Sequence, residues 1–82
     1  KPMMNGKGRN FMKKIVKIHT EYIKLGQLLK MINEIGNGAE AKAYLEEFDV
    51  YVNDELENRR GRKIYPNYIV KIRDLEICIE SE

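Results

Sequence analysis

Eighty-two residues, 43% of them apolar and 34% charged, suit one small folded domain and exclude a multidomain enzyme or a disordered chain. No apolar run approaches the roughly 18 residues that span a bilayer, nothing reads as a signal-peptide core, and Cys78 stands alone, so a cytoplasmic protein without internal disulfide or multi-cysteine zinc is expected. The net charge of +2 misleads: residues 1–11 carry Lys1, Lys7 and Arg9 and no acid, leaving 12 basic against 13 acidic groups, so any pull on nucleic acid must come from local arrangement.

The opening KPMMNGKGRNF has no apolar period and reads as a flexible tail over residues 1–11, a processed or appended end, with Met12 a candidate natural start. A basic tail that touches RNA is the competing reading. The domain is expected over 12–82. In KKIVKIH, Val16 and Ile18 share one face of a predicted strand over Lys13–His19, with Ile15 the exception. His19 is the only histidine and has no second ligand type at metal spacing, so it reads as a solvated imidazole.

Leu25, Leu28, Leu29, Ile32 and Ile35 predict an amphipathic helix that stops where Gly36 takes the left-handed conformation of a C-cap. Gly26 in its first turn costs only about 1 kcal/mol relative to Ala. Lys24, Gln27 and Lys30 face water, the ordinary condition of such residues. After the short loop Gly36-Asn37-Gly38, the residues Ala41, Tyr44, Leu45 and Phe48 mark a second helix over about Ala39–Phe48. Asn37 can accept from the first-turn amides and Glu40 can reach back in a capping box. The period then changes to two. Val50 and Val52 point inward, Tyr51 outward, and Asn53-Asp54 tolerates the positive φ of a tight hairpin.

The return strand ELE leads into NRRGRKIYP, where Arg59, Arg60, Arg62 and Lys63 place four cations in five residues. Such crowding is a cost unless an anionic partner offsets it, and guanidinium forks suit phosphate oxygens. Tyr65 adds an aromatic surface. The plainer reading is a solubilising loop, or a salt-bridge network with Glu55 and Glu57. Pro66-Asn67 predicts a turn; Tyr68, Val70 and Ile72 then alternate, as do Leu75, Ile77 and Ile79, which leaves Cys78 outward between two glutamates that disfavour a thiolate. The sum is an α+β domain, two packed helices on one side of a small antiparallel sheet.

The run EAKAYLEEFDVYVND resembles the central motif of the S4 RNA-binding domain, in which a helix with an Ala-Arg/Lys pair leads into a strand closing with Val-Asn-Gly. Ala41-Lys42, Leu45 and Val50-Tyr51-Val52-Asn53 match it, and the likeness extends from Lys24-Leu25 to Ile72. Phe48 and Asp54 replace the family's usual glycines, Asn37-Gly38 a common Ser-Arg, and Pro66-Asn67-Tyr68 a common Pro-Gly-Asp. The resemblance implies the αL fold of a small stand-alone, ribosome-associated S4 protein, whose helix and hairpin hold structured RNA, ribosomal or transfer RNA, in ribosome assembly or translation. Carried over, the RNA contacts are Lys24, Lys42, Asn53 and, in the basic loop, Arg59, Arg60, Arg62 and Lys63; Tyr65 joins them for its aromatic surface.

Glu46, Glu47 and Asp49 repel RNA at the end of the second helix, which confines the footprint to the helix start and the basic loop. Reversing Arg59, Arg60 and Arg62 to Glu is expected to abolish binding without altering the fold. The rival is a protein-interaction module that docks on a ribosomal or other protein, or pairs with itself along an exposed C-terminal strand. No nucleophile sits beside a base, no carboxylate pair accompanies a histidine and no glycine-rich phosphate cradle occurs, so no catalysis, cofactor, metal, membrane or small-molecule substrate is expected.

Overall fold

Which face of each strand is buried follows from its apolar alternation, and that in turn fixes where the helices lie. The computed structural model describes residues 11–82. Their order is β1 (Met12–Ile18), β2 (Ile23–Lys24), α1 (Leu25–Met31), a 3-10 turn (Gly38–Glu40), α2 (Ala41–Glu47), β3 (Val50–Val52), β4 (Glu55–Glu57), β5 (Lys63–Ile64), β6 (Ile69–Ile72) and β7 (Leu75–Ser81). Val16 and Ile18 of β1, Val50 and Val52 of β3, Val70 and Ile72 of β6, and Ile77 and Ile79 of β7 all enter one core with Leu25, Leu28 and Leu29 of α1 and Ala41, Tyr44 and Leu45 of α2. Both helices therefore cover the same face of the sheet. Ile15 stays exposed, as its off-phase position requires.

The sheet departs from the expected antiparallel form. Five strands are ordered β1-β7-β6-β3-β4, and β1 runs parallel to β7 while the other neighbours are antiparallel. A parallel neighbour needs a long crossover, which here is the rest of the domain. The C-terminal strand is consequently interior, paired with β1 on one side and β6 on the other, so it offers no free edge for self-pairing. A second sheet, β2 with β5, joins the front of α1 to the basic segment.

The helix ends also correct the sequence reading. α1 stops four residues earlier than Ile35, because Asn33, not Gly36, takes the left-handed conformation (φ 63°). The Glu34 amide donates to the Leu29 carbonyl (2.9 Å) and the Asn33 amide to the Lys30 carbonyl (3.0 Å), the paired bonds of a Schellman cap. At the second helix Asn37 Oδ1 accepts from the Ala39 amide (3.0 Å) as predicted, whereas Glu40 Oε1 accepts from the Gly36 amide (2.7 Å) instead of that of Asn37. The β3–β4 turn is as read: Asn53 (φ 51°) and Asp54 (φ 72°) are both left-handed, the requirement of a type I′ hairpin.

The tail expected over residues 1–11 lies outside the described residues except for Phe11, which is half-buried with Lys71 Nζ 5.6 Å from its ring centre. No helix among the described residues is long and apolar enough to cross a membrane.

Candidate nucleic-acid interface

The basic segment does not present four equivalent cations, because the strand before it buries a carboxylate. Glu57, the last residue of β4, is only 5% exposed. Its Oε2 accepts from the Arg59 amide (3.1 Å) and Arg59 Nε (2.9 Å), and its Oε1 from Arg59 Nη2 (3.2 Å) and Arg62 Nη1 (2.7 Å). The Arg59 and Arg62 hydrogen bonds outweigh the opposing effect of burial and hold the Glu57 carboxyl down at about 2. The same bonds raise the affinity of each guanidinium for its proton. Arg62 is 24% exposed and belongs to the anchor; Arg59 is 74% exposed and offers the outer side of its fork to solvent. Reversal of Arg62 is thus not a surface change, and the triple reversal expected to spare the fold strips Glu57 of its partners.

The loop backbone is also fixed to α1. The carbonyls of Arg60 and Arg62 accept from the amides of Gly26 and Leu25, each at 2.9 Å, and Gln27 Oε1 accepts from the Lys24 amide (2.9 Å). These bonds occupy amides at the front of α1, so anion binding there must rely on side chains. Lys24, Lys30 and Arg60 line one shallow concavity with Gly26, Gly38 and Gly61, and no carboxylate lines it. Lys63 stands directly across from Lys24 in the β2–β5 pair. Like charges directly opposite on paired strands destabilise a sheet, so this placement is a structural cost. None of these four residues has an acidic partner within ion-pair distance among the described residues.

Of the predicted site residues, Lys24 and Arg60 share this concavity, and Arg59, Arg62, Lys63 and Tyr65 line another hollow. Lys42 lines a separate cleft with Glu46, Asp49 and Glu57. Asn53 sits at the far end of β4, its Oδ1 accepting from the Ile69 amide (3.0 Å) while its own amide donates to the Ile69 carbonyl (2.8 Å), which clasps the hairpin to β6. Tyr65 is half-buried between Tyr22 and Tyr68, with ring centres 5.5 and 5.7 Å away. Sequence reasoning passed over Lys30 as a solvated lysine; its spacing of six from Lys24, through Gln27, was the available signal of a shared helix face. Tyr22 and Tyr68 gave no such signal, since only the fold brings them to Tyr65.

A bigger concavity, about 600 Å³, lies elsewhere, against Phe11, Phe48 and Tyr51. Glu47, Asp49 and Asp54 line it together with Lys71 and Arg73, a mixed field poorly suited to phosphate. Near it Tyr44 donates to Glu34 Oε1 (2.5 Å), which also meets Arg73 Nη1 (3.5 Å); burial first, then the Glu34 carboxylate, push the Tyr44 hydroxyl well above its ordinary value. His19 and Glu82 approach to 3.7 Å on the surface, and no group of His, Cys, Asp and Glu among the described residues could hold a metal ion.

The domain is α+β, with two helices covering one face of a mixed five-stranded sheet and a cationic loop fastened to the front of the first helix. The chain belongs to the S4 domain family, whose model matches residues 16–80. It is 51% identical over 57 residues to a Bacillus subtilis (strain 168) protein named "Probable ribosome maturation protein RlbA", an alignment covering 70% of this chain and 80% of that protein. No solved structure gives a significant match.

Proposed function

We propose that this protein binds structured RNA, ribosomal RNA in particular, and acts in ribosome assembly or translation in the cytoplasm. The observation that carries the reading is the concavity at the front of α1, where Lys24, Lys30 and Arg60 converge with no carboxylate in the lining. Cations held together against their own repulsion are stabilised by a polyanion. Membership of the S4 domain family and likeness to a protein named for ribosome maturation support the same reading. In this reading α1, α2 and the β3–β4 hairpin form the αL motif. Lys24, Lys30, Arg60 and Lys63 hold phosphates, the exposed side of Arg59 adds to them, and Lys42 and Asn53 contact RNA at the periphery. Arg62 acts by holding Glu57. Phosphate contacts of this kind position the module and supply most of its affinity without reading sequence. The role is one of binding, not catalysis.

The test is binding of ribosomal RNA fragments across a salt series. Neutralising three to five phosphates gives a slope of log affinity on log salt of about −2 to −4. Binding that is indifferent to salt, or absent, sinks the proposal.

One observation favours protein docking as a second reading. On the sheet face away from the helices, Ile15, Cys78 and Ile69 lie in register across β1, β7 and β6, and Ile15 and Ile69 are exposed. Tyr51 and Leu56, paired across β3 and β4, are exposed as well. Light scattering and co-purification separate the readings: a stable protein complex free of nucleic acid favours docking, and an elevated 260/280 nm absorbance ratio favours RNA.

A further inference from the structure

The basic loop contributes to two hollows with different linings. Besides the concavity at the front of α1, Arg59, Arg62, Lys63, Tyr65 and Tyr68 line a cleft of about 490 Å³, and Gly61 lines both hollows. Its lining joins three cations to two tyrosine rings. The Tyr65 ring meets Tyr22 at 46° and Tyr68 at 53°, so neither neighbour lies flat against it. Lys63 Nζ sits 5.0 Å from the centre of the Tyr22 ring, which places a cation at the edge of the aromatic row.

We infer that this cleft takes one unpaired nucleobase of the bound RNA, stacked on Tyr65, while the phosphates of the adjoining helix occupy the concavity at the front of α1. The inference rests on the RNA-binding reading and deepens it: the preferred ligand is a junction between paired and unpaired RNA, not a continuous duplex. The reasoning is chemical. A paired base has its faces covered by its neighbours, so an aromatic-lined cleft can accept only a base splayed out of the stack. The cleft falls within the range, about 300–1,000 Å³, of sites that hold compact organic ligands. Aromatic rings combined with cations that track the backbone are the usual means of holding unpaired nucleotides without reading their identity. The anchored geometry supports this function, since Glu57 fixes Arg59 and Arg62 in the cleft lining before any ligand arrives.

The experiment compares two RNA stems of identical length, one perfectly paired and one carrying a single unpaired 2-aminopurine, by fluorescence anisotropy and by 2-aminopurine emission with the wild-type protein. The bulged stem is expected to bind about tenfold or more tightly, the scale of one base stacked on one ring, with 2-aminopurine emission changing on binding as the base moves onto Tyr65. Tyr65→Leu is expected to erase the preference for the bulged stem, while Tyr65→Phe retains it. Free AMP at millimolar concentration is not expected to compete, because it lacks the neighbouring phosphates. Equal binding of the two stems, or 2-aminopurine emission unchanged on binding, overturns this inference and leaves the RNA reading standing. Binding of neither stem overturns both, and competition by AMP identifies the ligand as a free nucleotide and overturns the junction.

Discussion

Within five residues the chain makes two kinds of cation from the same side-chain chemistry. Arg59 and Arg62 turn back onto Glu57, while Arg60 and Lys63 have no acidic partner among the described residues: Arg60 stands with Lys24 and Lys30 around a concavity, and Lys63 pairs across from Lys24 with its ammonium near the Tyr22 ring. Sequence spacing does not separate them; what separates them is a carboxylate buried at the end of β4. Alternation alone would turn Leu56 of ELE inward and its flanking glutamates outward, yet Leu56 is 60% exposed and Glu57 is buried. A run of like charges is therefore held in place by one opposite charge, and the inward pair makes the outward pair possible.

The hardest way to break this contrast is to reverse one cation of each kind. Arg62→Glu places a second carboxylate against a buried one, and losing one member of a buried ion pair costs about 3–5 kcal/mol, a large share of a small domain's stability. Arg60→Glu changes stability by less than about 0.5 kcal/mol, because its side chain has no ion pair to lose. Urea unfolding of the two variants measures the difference, and similar midpoints would show the inward and outward assignments to be wrong.

A pH series sharpens the same point without mutation. The Glu57 carboxyl is lowered from 4.5 to about 2 in the folded protein, so its contribution to stability is complete above 4.5 and is lost as pH falls toward 2. The loss is about 1–3 kcal/mol, less than the full shift implies because Arg59 is well exposed to solvent. Glu57→Gln starts from a lower stability and shows a shallower decline through that window. An unchanged acid slope in the variant would mean that other carboxylates govern it.

Much of this was legible in the sequence and some could not have been. The Asn53-Asp54 hairpin and the core faces of β3, β6 and β7 follow from local periods and turn chemistry, and the structure has them as read; the second helix is present but shortened to Ala41–Glu47, with a 3-10 turn at its start and Phe48 already extended. The parallel pairing of β1 with β7 joins residues 63 apart, such as Met12 and Leu75, and no local pattern carries that information. Asn33 as the cap of α1 was hidden by Gly36, the stronger prior for a left-handed residue. At the candidate site, the cation run was plain, whereas the division of labour within it depends on burial of Glu57, and the inclusion of Lys30 depends on α1 lying against the loop.

On the outward side, the double variant Arg60→Glu, Lys63→Glu is expected to weaken RNA binding by about 10- to 100-fold and reduce the salt slope by about 1.5–2, with far-ultraviolet circular dichroism unchanged. Arg59→Ala, which removes one exposed fork and leaves Arg62 on Glu57, has a smaller effect on binding. If the order were reversed, phosphate recognition would belong to the inward pair.

The smallest expected effect is the most discriminating, because binding and stability move in opposite directions. Lys24 directly faces Lys63 in the β2–β5 pair and is the residue before α1, where its side chain makes no cap. Lys24→Thr removes the repulsion between the two ammonium groups and supplies a hydroxyl that can accept from the first-turn amides. Because the Leu25 and Gly26 amides are already bonded to the loop carbonyls, only part of the capping gain is available, and the net stabilisation is about 0.5–1 kcal/mol. The same change deletes one phosphate contact, so affinity falls several-fold and the salt slope by about 0.7–0.9. A residue kept for packing would lose stability on replacement, and an idle surface lysine would leave binding untouched. Only a cation retained for an anionic partner is expected to yield a protein that melts later and binds less, which differential scanning calorimetry and a salt titration on the same sample would establish together.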